Sequence, residues 1–213
     1  MAHELPPPTP GVAHVNESVD QGDWRTPSLL LQDAAVFYAT ARRYDESRAY
    51  GAIEATGRYV RASILAAFSA LEAQLNLTAF NHAVAHQELL TPFVHDVLTE
   101  VETVLDEQGR IHKRPRRISM TARLSFLTAF LSGQPFPRGG QLWQDLLEAI
   151  ALRDSCVHPK PPFPFDWEPD QARHVLTTVS AVLAEVSHLM GLEPPRWLRP
   201  ADELVESLGD ELR

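Results

Sequence analysis

The feature that most constrains this chain is the spacing of its apolar residues. From Ser28 onward they recur every three or four positions, as in "RASILAAFSALEAQLN", where Ile64, Phe68, Leu71 and Leu75 form one stripe. No segment of any length alternates as a half-buried strand would, and neither an internal repeat nor a phosphate-cradling glycine loop breaks the pattern. Stripes of this kind are buried by packing helix on helix. The expected fold class is all-α, a bundle of five to six helices.

Caps and breakers place those helices. Thr26 and Pro27 open a first helix through "TPSLLLQDAAVFYATARRY". A second runs from about Asp45 to Leu77, and a third from about Thr91 to Glu107, ending before Gly109. The fourth, "SMTARLSFLTAFLSG", is stopped by Gly133, and the fifth spans Gln141 to Val157. Pro169 starts a sixth that reaches Met190, with Gly191 just past its end. Residues 1–27 are proline-rich and polar without periodicity, and read as a flexible arm. Residues 28–199 form the bundle domain, and 200–213 an acidic tail with a short helix. Trp143, Leu146, Leu147 and Ile150 on the fifth helix read as core or dimer interface. Trp167 and Trp197 are placed to clamp the proline-rich links onto the bundle.

Composition bounds the setting. The lone Cys156 excludes an internal disulfide framework and an all-cysteine zinc site, and fits a reducing compartment. With no run of about eighteen apolar residues and no secretory leader, a cytoplasmic protein with no membrane partner is expected. The net charge of −9 argues against indiscriminate nucleic-acid binding. The charge is unevenly placed, however. "RIHKRPRRISMTAR", residues 110–123, holds six Lys/Arg and no acid, leaving 13 basic against 28 acidic residues elsewhere. As a loop, this segment could grip RNA phosphates through Arg110, Lys113, Arg114, Arg116 and Arg117. The plainer alternative is a solvated loop or a contact for an acidic partner.

The chemistry concentrates in "LRDSCVHPK", Leu152 to Lys160. Arg153 and His158, five apart, are separated by about 140° on an ideal helix. Pro159 disfavours helical geometry at His158, so the imidazole sits at a frayed end, free to swing towards Arg153. Asp154 is four residues before His158, the spacing at which side chains meet, and can fix which ring nitrogen faces outwards. A permanent cation, a titratable imidazole and an orienting carboxylate suit phosphodiester cleavage without a metal or other cofactor. The imidazole removes the 2′-hydroxyl proton or protonates the leaving oxygen, and the guanidinium stabilises charge on phosphorus. The alternative is structural: cations are favourable at a helix C-terminus in any case.

Two other features carry less. "HAVAH" sets His82 and His86 one turn apart, a zinc-compatible spacing, but without the glutamate of the metalloprotease motif. Cys156 reads as a small buried hydrophobe rather than a nucleophile.

The early helix "SILAAFSALEAQLN", the late helix "LWQDLLEAIALRDSCVHPK" and the helical body between them resemble the HEPN superfamily over about residues 58–190. Its members are helical bundles with an R-x4–6-H motif, matched here by Arg153, Asp154 and His158, although Asn is usual where Asp154 stands. The resemblance implies a metal-independent endoribonuclease of toxin–antitoxin or other defence systems. It also implies a homodimer whose motifs approach across a shared cleft, with RNA and an antitoxin protein as partners. The alternative it implies is a non-catalytic module binding RNA, a nucleotide or a protein. Polar residues on the early helix can face the motif helix in this family, so Glu72 and Ser69 are candidates to hold the Arg153 guanidinium.

Overall fold

The structure is a computed structural model and describes residues 25–47, 49–159, 167–195, 197–199 and 201–208. Seven helices and one hairpin follow in the order α1 (Arg25–Ser47), α2 (Ala52–Ala85), α3 (Pro92–Leu98), β1 (Val101–Leu105), β2 (Ile111–Pro115), α4 (Met120–Ser132), α5 (Gln141–Val157), α6 (Pro169–Leu189) and α7 (Ala201–Leu208). The expected all-α class holds, with seven helices among the described residues rather than five or six. Residues 1–24 of the expected arm, and 160–166 of the proline-rich link, lie outside the described residues. Arg25 to Pro27 form the first turn of α1.

The long α2 is central, lying along α1 and touching α6, α5, α4 and α3. Its stripe of Ile64, Phe68, Leu71 and Leu75 is buried, as the spacing predicts. It meets Leu31, Ala34, Ala35 and Tyr38 of α1, Leu124 of α4, Leu146 of α5 and Val175, Leu176 and Val179 of α6 in one continuous core. Gly51 turns the chain between α1 and α2 with φ 78°, a left-handed conformation that a side chain would strain. The Ser63 hydroxyl donates to the Ala34 carbonyl at 2.7 Å, satisfying a buried polar group across that helix pair. The second helix is longer than expected and carries the His82 segment inside its last turn.

Helix α6 begins at Pro169 behind a reciprocal cap of Glu168 and Gln171, and Gly191 follows its end with φ 67°. Trp167 and Trp197 both pack against the core, half-buried. On α5, Trp143 and Leu146 are buried and Ile150 is half-buried, whereas Leu147 is exposed. Within the expected acidic tail, Ala201–Leu208 form α7, whose Leu204 is buried in the core where α7 meets α1 and α6, and residues 200 and 209–213 lie outside the described residues.

The expected helix over Thr91–Glu107 is corrected. It stops at Leu98, and Glu100 adopts φ 53°. "VETVL" then pairs antiparallel with "IHKRP", Val101 opposite Pro115 and Leu105 opposite Ile111. Three β-branched residues in five favour the extended chain, and Asp106 to Gly109 supply the turn. Strand β2 is exposed along its whole length. The basic segment is therefore one arm of a hairpin, not a helix-to-helix loop.

Candidate functional site

The last turn of α5 ends as its sequence requires. The His158 backbone N–H closes the helix on the Asp154 carbonyl at 2.8 Å, but φ −127° and ψ 65° take His158 out of helical geometry ahead of Pro159. Its imidazole is exposed and makes no hydrogen bond among the described residues. Arg153, half-buried one turn earlier, reaches back across the bundle. Its Nη2 lies 3.5 Å from Glu72 Oε1 of α2, a long contact between residues 81 apart in sequence, and its Nη1 donates to Asp154 Oδ1 at 3.1 Å.

The structure thus brings Glu72 to Arg153 and separates two other expected members of the set. Asp154 turns to the guanidinium rather than to the imidazole of His158. A permanent cation with several donors outcompetes an imidazole for a carboxylate, and His158 no longer stacks over the Asp154 turn once the helix ends. Ser69 is exposed, and its hydroxyl donates to the Leu65 carbonyl of its own helix at 2.9 Å, so it takes no part in holding Arg153.

Behind Glu72 the charges continue. Arg123 of α4 is buried, and its Nη1 lies 2.8 Å from Glu100 Oε1. Burial pulls the Arg123 pKa below the ordinary arginine value, while the fields of Glu100 and Glu72 support its charge. Glu100, Arg123, Glu72, Arg153 and Asp154 therefore form an alternating run from the root of the hairpin to the end of α5.

The hairpin cations are mostly committed. Arg110 donates to Asp106 at 2.9 Å, Lys113 to Asp96 at 2.8 Å, and Arg114 to Glu102, its cross-strand partner, at 2.6 Å. Those bonds hold the Asp96 and Asp106 carboxyls below the usual carboxylate range. The side chains of Arg116 and Arg117 have no partner among the described residues, and the Arg116 N–H donates to the Glu100 carbonyl at 2.7 Å, which ties them to the hairpin root. Of the five cations expected to grip RNA, these two remain uncommitted.

The sequence reading missed Arg61. Its guanidinium lies over the Trp167 indole, 5.9 Å from the ring centroid. The Cys156 thiol, half-buried between helices, is pushed up to about 11 by burial, against the opposing fields of Arg61 and Arg153. A signal existed: Arg61 precedes Glu72 by eleven residues, about three turns, so both fall on one face of α2.

Elsewhere, His82 and His86 stack with ring centroids 4.3 Å apart. Burial first, and His86 second, lower the His82 pKa. Among the described residues no group of three or more His, Cys, Asp or Glu is placed to hold a metal. An open cleft of about 440 Å³ between α1, α6 and α7 is lined by Tyr38, Arg42, Glu168 and Asp202 among others, and includes none of the motif residues. No described helix is long and apolar enough to cross a membrane. No family model matches the chain, and no curated protein or solved structure is detectably similar to it.

Proposed function

We propose that this chain is a metal-independent endoribonuclease of HEPN-like type that acts as a homodimer. The observation that carries the reading is the α5 end itself. An exposed imidazole with no partner among the described residues stands one turn beyond a guanidinium that a distant helix holds half-open to solvent. In the reaction, His158 takes the proton of a ribose 2′-hydroxyl. The 2′-oxygen bonds to phosphorus, the bond to the 5′-oxygen breaks, and that oxygen leaves with a proton from the imidazole of a second copy. The products are a 2′,3′-cyclic phosphate and a 5′-hydroxyl. Arg153 stabilises the charge that builds on the phosphoryl oxygens. A toxin held by a protein antitoxin, or another defence role, is the biological setting this reading carries.

The surface of α2 supports the dimer. Glu72, Asn76 and Phe80 follow at steps of four on one solvent-reachable face. A copy packed along that face brings a second Arg153 and His158 close to the first.

One observation favours a second reading, a non-catalytic binding module. Two carboxylates already face Arg153, which lowers its pull on a phosphate. Incubation of wild type and His158→Ala with single-stranded RNA in EDTA separates the two. Cyclic-phosphate ends from wild type alone are the expected result. Equal behaviour of both proteins, in preparations free of contaminating nuclease, leaves the module.

A further inference from the structure

We infer that His82 and His86, at the end of α2, form a two-point chelate for a divalent transition-metal ion such as zinc. The site is separate from the α5 end. His82 stands ten residues beyond Glu72, about 15 Å along the helix, so the ion takes no part in the proposed cleavage. Three observations carry it.

The first is the preparation of His86. Its backbone N–H donates to the His82 carbonyl at 3.1 Å, and its ring Nδ1 lies 3.2 Å from the same oxygen. A carbonyl oxygen only accepts, so Nδ1 is the protonated nitrogen and the neutral ring carries its lone pair on Nε2. Metal-binding histidines are oriented in this way, with the second ring nitrogen donating to a backbone carbonyl or a carboxylate. The contact fixes the ring against its own helix and leaves one nitrogen to bind.

The second is the pairing. The two rings lie side by side, with centroids 4.3 Å apart and planes 15° from parallel. Two imidazole nitrogens on one tetrahedral zinc ion stand about 3.3 Å apart, which a small tilt of the rings supplies. The His82 ring has no hydrogen-bond partner among the described residues, and its edge contact with Phe130, centroids 5.4 Å apart, limits its swing. Burial also favours its uncharged form, the one that binds metal.

The third is the setting. An open depression of about 430 Å³ at the end of α2 is lined by His86, Glu88 and Val84 among others, and gives the remaining coordination positions room for water. Residues 73–94 contain no Lys or Arg, and Glu88 supplies a carboxylate beside a dication and its bound water. The described residues offer two ligands and no third, so the affinity is that of an open chelate rather than of a closed structural site. The ion ties His86, where the chain leaves helical geometry, to the turn before it. Binding to the folded state alone then stabilises the fold.

The probe is Zn²⁺ added to the metal-free full-length chain. At free zinc about a hundred times its Kd, Tm is expected to rise by about 5 °C, while Mg²⁺, which takes oxygen ligands, leaves it unchanged. His86→Gln, at a half-buried position, is expected to weaken zinc binding at least about tenfold by calorimetric titration and to remove the rise in Tm. His112→Gln, on the exposed strand β2, is the control and should respond like wild type. Histidine 15N spectra locate the ion, since zinc should shift the ring nitrogens of His82 and His86.

No rise in Tm for wild type, an undiminished zinc response in His86→Gln, or an equal loss in His112→Gln would each overturn the inference. Should His86→Gln fail to fold, the wild-type spectra decide: shifts at His82 and His86 sustain the chelate, and zinc shifts that leave both unmoved remove it. The nuclease reading is decided apart from this, by His158→Ala in EDTA.

Discussion

Asp154 illustrates how a single side chain redistributes the chemistry of its neighbours. Its carboxylate lies 3.1 Å from Arg153 Nη1 and leaves the His158 ring without a partner among the described residues. It therefore restrains the guanidinium instead of selecting an imidazole tautomer. Asparagine at this position keeps an acceptor for Arg153 and removes one of the two negative charges facing it. Asp154→Asn is therefore expected to tighten RNA binding by about two- to fivefold, in line with an exposed ion pair, and to raise the cleavage rate. Fluorescence anisotropy and gel assays of cyclic-phosphate ends read the two effects, and weaker binding would count against the assigned role of Arg153. The contact between Arg153 and Glu72 is one that the family resemblance implies, and helical spacing alone does not give it, because α2 meets both α5 and α6. The choice made by Asp154 is not legible, because it depends on where the helix actually ends. Arg61 is half legible: its helical phase puts it on the same face of α2 as Glu72, three turns away, but nothing in the local sequence links it to Trp167, more than a hundred residues later.

Among the elements, α2 explains most of the architecture and most of what could be read in advance. Its apolar stripe is regular, and every member of the expected set is buried. Gly57 is the exception to good helix-forming sequence in its first turns. Its place against Trp167 is close but not closed, since an added methyl would make ordinary van der Waals contact at 3.5–3.6 Å. Gly57→Ala should therefore stabilise the fold by about 0.5–1 kcal/mol through helix propensity alone. Urea unfolding checks this, and destabilisation would show that the Trp167 packing is tighter than the geometry indicates. The hairpin marks the limit of reading by periodicity. Strand β1 has β-branched residues but only five positions, and β2 reads as a charged loop because no residue in it is buried. Its pairing rests on cross-strand contacts, Glu102 with Arg114 above all, which a one-dimensional pattern does not encode.

At the scale of the whole molecule, charge is as informative as burial. Residues 73–94 contain a single formal charge, Glu88, and 124–137 contain none, although the chain as a whole carries −9. These stretches lie together, since His82 meets the edge of Phe130 with ring centroids 5.4 Å apart, and they expose Phe80, Val84, Leu89 and Phe93. Two copies of an acidic protein repel least where neither carries charge, which makes this region the expected seat of self-association. Phe80→Glu, at a position already exposed, should convert a dimer to a monomer by light scattering while leaving the helical circular dichroism intact. A monomeric wild type would remove the dimer from the functional reading. The bundle class was legible because each helix repeats its own signal, whereas relations between helices, this surface among them, emerge only after packing. The hairpin has a related consequence. Asp96, Glu102 and Asp106 pair with Lys113, Arg114 and Arg110, so most of the arm that looks cationic as text is already neutralised as an object. What pull on a distant polyanion the hairpin keeps is concentrated at its root, where Arg116 and Arg117 have no partner among the described residues.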